Sequence, residues 1–183
     1  NRLRNPRRLK AGQKLKIKTE GPENPSEAKG RPQSGKLIHG EQMPLEHSCY
    51  VLKRRRNAWG TNETVDQLLE AVQTVCSSRS LKRKSGRKKI PAVVIGDLSA
   101  KKGGPLPPHK SHQTGRDADL GYYHKGDKQL TQFKTATRKN IDLRLTWALL
   151  NQMIKQDAVE NIFVDRKIQN WLYEWALKKG EKR

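Results

Sequence analysis

The stretch PPHKSHQTGRDADLGYY, Pro107 to Tyr123, packs two of the chain's five histidines, two aspartates and a glutamine into one segment. Pro107, Pro108 and Gly115 within it, and Gly103 and Gly104 just before it, oppose a continuous helix. His109 and His112 therefore sit on an irregular loop that leads into a strand. In DADLGYY the period of two sends Asp117, Asp119 and Gly121 to one face and Ala118, Leu120 and Tyr122 to the other. Both carboxylates then face the region the loop histidines can reach. Imidazole nitrogen and carboxylate oxygen are the donors of a tetrahedral zinc site that keeps one position for water. His112 and Asp119 form the best ligand pair, with Asp117 or His109 orienting ligands or water. Spacing alone leaves a second reading open, in which the same residues make ordinary hydrogen bonds at a polar turn.

Working outward, apolar blocks recur along the chain. From Thr61, a capping residue, Glu63 and Asp66 open a first turn, and Val65, Leu68, Leu69, Val72 and Val75 recur at helical spacing up to about Cys76. The next stretch, RSLKRKSGRKK, has seven basic residues and no acid, and reads as a solvated loop. IPAVVIGDLS reads as a buried strand over Ile90 to Ile95, closed by Gly96-Asp97. Beyond the histidine loop, Asp142 caps a helix bearing Leu145, Leu149 and Met153. Val159 to Val164 is a second strand candidate, and Asp165 caps a helix with Ile168, Leu172 and Trp175 on one stripe and Gly180 as its stop. Trp171, Tyr173 and Trp175 at helical spacing read as core. This order predicts an α+β fold, one domain with a small antiparallel sheet flanked by helices.

The chain has 183 residues and a formal net charge of +21, from 39 basic against 18 acidic residues. Such a field attracts polyanions, whether nucleic acid, anionic lipid or cell-wall polymer. No apolar run approaches the ~20 residues of a membrane helix. The chain begins at Asn1 rather than Met and shows no apolar signal segment, which reads as processing or truncation of whatever preceded it. Residues 1–18, NRLRNPRRLKAGQKLKIK, resemble the last third of a LysM repeat, a peptidoglycan-binding module, through Asn5, Pro6, Leu9, Gly12, Gln13, Leu15 and Ile17. Residues 19–36, rich in Pro, Gly, Ser, Glu and Lys, read as a flexible linker. Cys49 and Cys76 are the only cysteines, and sequence leaves open whether they pair.

The string HKSHQTGRDADLGYY is similar to the HxSHQxGxDxD signature of the penicillin-insensitive murein endopeptidases, a group of zinc peptidases. It covers His109, Ser111, His112, Gln113, Gly115, Asp117 and Asp119 without a gap. Supporting phrases are the Arg-rich stretch before Trp59-Gly60-Thr61, Gly96-Asp97 with Ser99, and Gly103-Gly104. The resemblance implies a metallopeptidase-like domain over residues 37–183 that cuts peptide cross-links of peptidoglycan in the periplasm or elsewhere in the cell envelope. It implies zinc ligands at His112 and Asp119 with His109 beside the metal, and roles near metal or substrate for Ser111, Gln113 and Asp117. The family also draws a ligand and a proton-transfer histidine from a His-x-His motif near its C-terminus, and no histidine follows His124 here. The catalytic residues are accordingly expected beyond Arg183 in a chain truncated at that end. Otherwise the protein is catalytically inactive, or His39, His47 or His124 completes the site.

A Ser111/His hydrolase would need a base that the neighbouring histidines, claimed for metal, do not supply. A nucleic-acid-binding module would use RRR and KRKSGRKK as phosphate contacts, but no recognised nucleic-acid motif is present and the aromatics are not interleaved with the basic runs. A third alternative is a wall-binding protein without catalysis.

Overall fold

The computed structural model describes residues 24–156 and 159–180. The LysM-like phrase at 1–18 and the first part of the expected linker lie outside them. The fold is α+β, built from four helices and three two-stranded sheets among the described residues.

Helix α1, Asn62–Ser77, begins where Thr61 holds an extended backbone and its Oγ1 accepts the Thr64 N–H at 3.2 Å. Its buried face is Val65, Leu68, Ala71, Val72, Val75 and Cys76. Against that face packs α3, Leu143–Ile154, started by Asp142, whose Oδ1 accepts the Leu145 N–H at 3.0 Å. Leu145 and Leu149 continue the same core. Helix α4, Arg166–Lys179, runs from an Asp165 cap to Gly180 in the left-handed region, and buries Ile168, Leu172 and Ala176. Ile141, Ile168 and Leu172 form a smaller cluster joined by Trp147 and Trp171, so of the three aromatic positions in α4 Trp171 serves this packing. Trp175 lies 6.3 Å from Trp147, whereas Tyr173 is about half exposed.

Strands β1, Glu27–Arg31, and β2, Ser34–Ile38, pair antiparallel from Glu27↔Ile38 to Arg31↔Ser34. Strand β3, Glu41–Gln42, pairs antiparallel with β5, Trp59–Gly60, and β4, Tyr50–Leu52, pairs parallel with β6, Val93–Ile95. Several expectations are corrected here. The described part of the expected linker is mostly the β1–β2 hairpin. It is held by backbone groups, by Gln113 as described below, and by the buried Leu37, and a single buried leucine leaves no apolar periodicity to read. The basic stretch is a short helix, α2, Arg79–Ser85, because Ser78 Oγ accepts the Leu81 N–H and Gly86 closes it at φ 68°. The strand expected from Ile90 starts only at Val93, after Pro91, which has no N–H to offer a ladder. Residues 159–164 form no strand: Ile162 and Val164 are half-buried while Phe163 points to solvent, an alternation with no partner strand to pair it.

Cys49 and Cys76 form a disulfide with Cα atoms 5.5 Å apart, tying the start of β4 to the end of α1. It closes a loop with a sequence separation of 27. Replacing both cysteines with serine is expected to lower stability by about 3 kcal/mol through the entropy returned to the unfolded chain. Chemical denaturation of the variant against the parent measures this, and an unchanged midpoint would contradict it.

Candidate metal centre

The site grows from the alternation of backbone groups along β6. Val93 and Ile95 bond to the β4 side, where Val93 N donates to Cys49 O and Lys53 N donates to Ile95 O. The groups between them face the opposite edge, where residues 119–121 run antiparallel. Gly121 N donates to Val94 O at 2.8 Å, Gly96 N to Asp119 O at 2.8 Å, and Asp119 N to Asp97 O at 3.0 Å. Only Leu120 forms a bridge, to Ile95, so the expected strand through DADLGYY is reduced to this short contact. The contact nevertheless fixes Asp119 beside the end of β6.

His112 is 4 % exposed and holds a backbone φ of 67°, a region that a residue with a Cβ enters at a cost of about 1–3 kcal/mol. Asp117 supports that conformation, since its Oδ2 accepts the His112 N–H at 2.9 Å. The ring is gripped at both nitrogens. Nδ1 lies 2.9 Å from the Leu98 carbonyl oxygen, and Nε2 lies 3.3 Å from Asp119 Oδ1. A carbonyl only accepts, so Nδ1 carries a hydrogen and Nε2 is the nitrogen left facing Asp119. A lone pair opposed to a carboxylate is repulsive unless a proton or a metal cation lies between them. Burial works against the charged ring, but the bond to Asp119, the charges of Asp117 and Asp119 and the Leu98 carbonyl prevail and push the His112 pKa up to about 9. The same bond holds the Asp119 carboxyl below its ordinary range against the opposing effect of burial, with help from His112, His109 and Lys53 charge.

His109 is held by a different anchor. Its Nε2 lies 3.0 Å from Asp97 Oδ2, and its Nδ1 lies 3.9 Å from Asp119 Oδ2. An ionised carboxylate accepts only, so Nε2 carries the hydrogen and Nδ1 looks toward Asp119. Asp97 is 1 % exposed and also receives Arg54 Nη1 at 3.0 Å and Asn57 Nδ2 at 2.9 Å. Ligand atoms of His109, His112 and Asp119 thus lie within 4.8 Å of one another, the grouping of metal-ligating residues found among the described residues. Two imidazoles oriented through their far nitrogens and one carboxylate are a donor set that suits a divalent metal of the zinc type.

A model of the penicillin-insensitive murein endopeptidases matches residues 28–181. The chain belongs to this peptidase family. No curated protein matches the chain.

Within this murein endopeptidase domain the remaining signature residues have separate tasks. Asp117 and Asp119 bracket the His112 ring, at Nδ1 and Nε2, rather than lining one strand face. Gln113 fastens the β1–β2 hairpin: its N–H donates to Pro32 O at 3.1 Å, its Nε2 donates to Gln33 O at 2.8 Å, and its Oε1 accepts the Gly35 N–H at 3.3 Å. Ser111 is half-buried, and among the described residues no base is hydrogen-bonded to it. His39, His47 and His124 stand outside the grouping. His47 accepts the Cys49 N–H and stacks on Tyr50, and His124 forms a bridge with Ile141. Sequence reasoning gave Asp97 no role of its own. Its one signal was an aspartate set at the end of a β-branched run, where a buried acid demands donors.

A raised histidine pKa adds stability below the ordinary value of 6.5, and this is lost as pH climbs through about 9. Metal-free protein is therefore expected to lose stability between pH 6.5 and 9, with His112 titrating near the top of that window. Asp119→Asn should shift the His112 titration downward and flatten the profile. NMR titration of the ring with parallel urea melts tests both, and a His112 midpoint below 7 in the parent would refute the pairing.

Proposed function

We propose that this chain hydrolyses peptide cross-links of peptidoglycan in the cell envelope, using a zinc ion held by His109, His112 and Asp119. The observation that carries the reading is the convergence of these three side chains inside a domain of the murein endopeptidase family. Zinc bound there supplies Lewis acidity toward a scissile carbonyl and lowers the pKa of water toward ~7. The protein's part is orientation and charge. Leu98 O and Asp97 fix which nitrogen each histidine presents, so no ring rotation is needed when a cation arrives. Asp119, kept ionised, balances part of the cation's charge. Asp117 holds the strained turn that delivers His112. Arg54 and Asn57 keep the Asp97 carboxylate in place for His109.

Neither histidine is available as a base for Ser111, because each offers its free nitrogen to the metal position. Cleavage accordingly does not proceed through a serine acyl-enzyme, and penicillin, which acylates serine, should leave it unaffected.

The test is zinc content of dialysed protein together with chromatography of digested muropeptide dimers. Parent protein should retain zinc and convert dimers to monomers with or without penicillin. His112→Ala and Asp119→Ala should each weaken zinc binding by more than the roughly 10–100-fold typical of an outer partner, with an unchanged far-UV spectrum. Asp97→Asn should fall within that 10–100-fold range. Unaltered zinc content in the His112 and Asp119 variants would sink the assignment. Dimers left intact by zinc-loaded protein that sediments with sacculi would instead favour a wall-binding role without catalysis.

A further inference from the structure

Because β4 and β6 are parallel, their C-terminal ends lie side by side, and the residues that follow share one edge of the metal centre. Lys53 and Arg54 follow β4, and Gly96 and Asp97 follow β6. Phe133 reaches this edge from the long connection between residue 124 and α3. Its ring packs against Gly96 and Gly121. A Cβ at Gly96 would come within 2.5 Å of Phe133 Cζ and 2.9 Å of Asp119 Cβ, and one at Gly121 within 3.3 Å of Phe133 Cδ1. Two positions without side chains therefore admit an aromatic ring directly beside Asp119.

The ring keeps 39 % of its surface exposed although it adjoins the most buried part of the molecule. The Lys53 ammonium sits over it, 4.7 Å from the centroid. Among the described residues Lys53 has no carboxylate within ion-pair distance; its charge is felt by Asp119, and its ammonium stays unpaired beside Phe133. Arg54 commits Nη1 to Asp97 while its side chain remains 40 % exposed. A carboxylate approaching this corner meets one ammonium, the outer part of a guanidinium and an apolar floor. The other sides of the centre, His109, His112 and Asp119, have their ligand atoms within 4.8 Å of one another.

We propose that Lys53, flanked by Arg54 and floored by Phe133, is a specificity subsite that binds a free carboxylate of the substrate's peptide close to the bond that is cut. The proposal rests on the peptidoglycan reading, since stem peptides carry such carboxylates next to short aliphatic side chains. The ammonium pairs with the carboxylate, and the methyl groups beside it pack on the exposed face of the ring. Neutralising the carboxylate removes the attraction and leaves the packing.

The experiment compares a cross-linked muropeptide dimer with the same dimer whose free carboxylates are amidated. Binding is measured by calorimetry on metal-depleted protein, where no turnover consumes the ligand. The parent should bind the carboxylate form at least tenfold more tightly than the amide, and the gap should shrink as salt rises. Lys53→Met should bind both forms alike, at the level of the parent with the amide, and Lys53→Arg should restore most of the difference. If Lys53→Met folds poorly, Lys53→Gln serves the same comparison. Equal weakening of both ligands would assign Lys53 a packing role and overturn the proposal, as would a parent that does not discriminate. A parent that discriminates but neither holds zinc nor cleaves dimers would leave the subsite standing and remove the metallopeptidase reading instead.

Discussion

A carboxylate that water cannot reach has to be surrounded by donors, and Asp97 meets that requirement by drawing two other segments to itself. Arg54 and Asn57 come from the turn after β4, and His109 comes from the histidine loop. An unpaired charge at 1 % exposure would be strongly destabilising, so these segments are obliged to converge whether or not a metal is bound. The geometry of His109 is in this sense a by-product of satisfying Asp97. The same economy operates at His112, where the Leu98 carbonyl, one residue further along, receives the Nδ1 hydrogen. Two consecutive residues past the end of β6 thereby orient two imidazoles.

The remaining donor comes from the opposite edge of β6, through main-chain bonds that depend on no particular side chain. Rigidity of the centre therefore arises from a short, fully buried strand and from local polar bonds around it, rather than from an extended sheet. The disulfide and the packing of α1 on α3 stand behind that strand as a support.

The three long helices, α1, α3 and α4, were legible in the sequence because their signals are local: a capping side chain at Thr61, Asp142 and Asp165, an apolar stripe, and a terminal glycine at 180. The histidine loop was legible through prolines, glycines and a dense signature; His109, His112 and Asp119 lie together in the structure. Apart from α2, where a run of basic residues conceals the local Ser78 cap, what the sequence does not show depends on residues distant in sequence. The β1–β2 hairpin has a composition typical of linkers because its anchor is Gln113, some eighty positions away. Strand alternation misassigned DADLGYY because a single turn residue, His112 at positive φ, and the Asp117 bond to its N–H set the direction of the chain before any strand can form. Asp97 shows the general limit: sequence reveals that a buried acid must be satisfied but does not name the donors.

The hairpin clamp has a consequence for the order in which the molecule assembles and comes apart. Gln113 joins Gln33 across a sequence separation of 80, and closing so long a loop carries an entropic cost that local contacts do not. Docking of the hairpin is thus expected late, after the helices and β6 have met. Because Gln113 adjoins His112, release of the hairpin and relaxation of the left-handed turn form one cooperative unit of local opening. Slow amide exchange at Gly35 and Gln113 would then share a common opening rate, and the conformation of His112 would be tied to a strand pair at the far end of the chain.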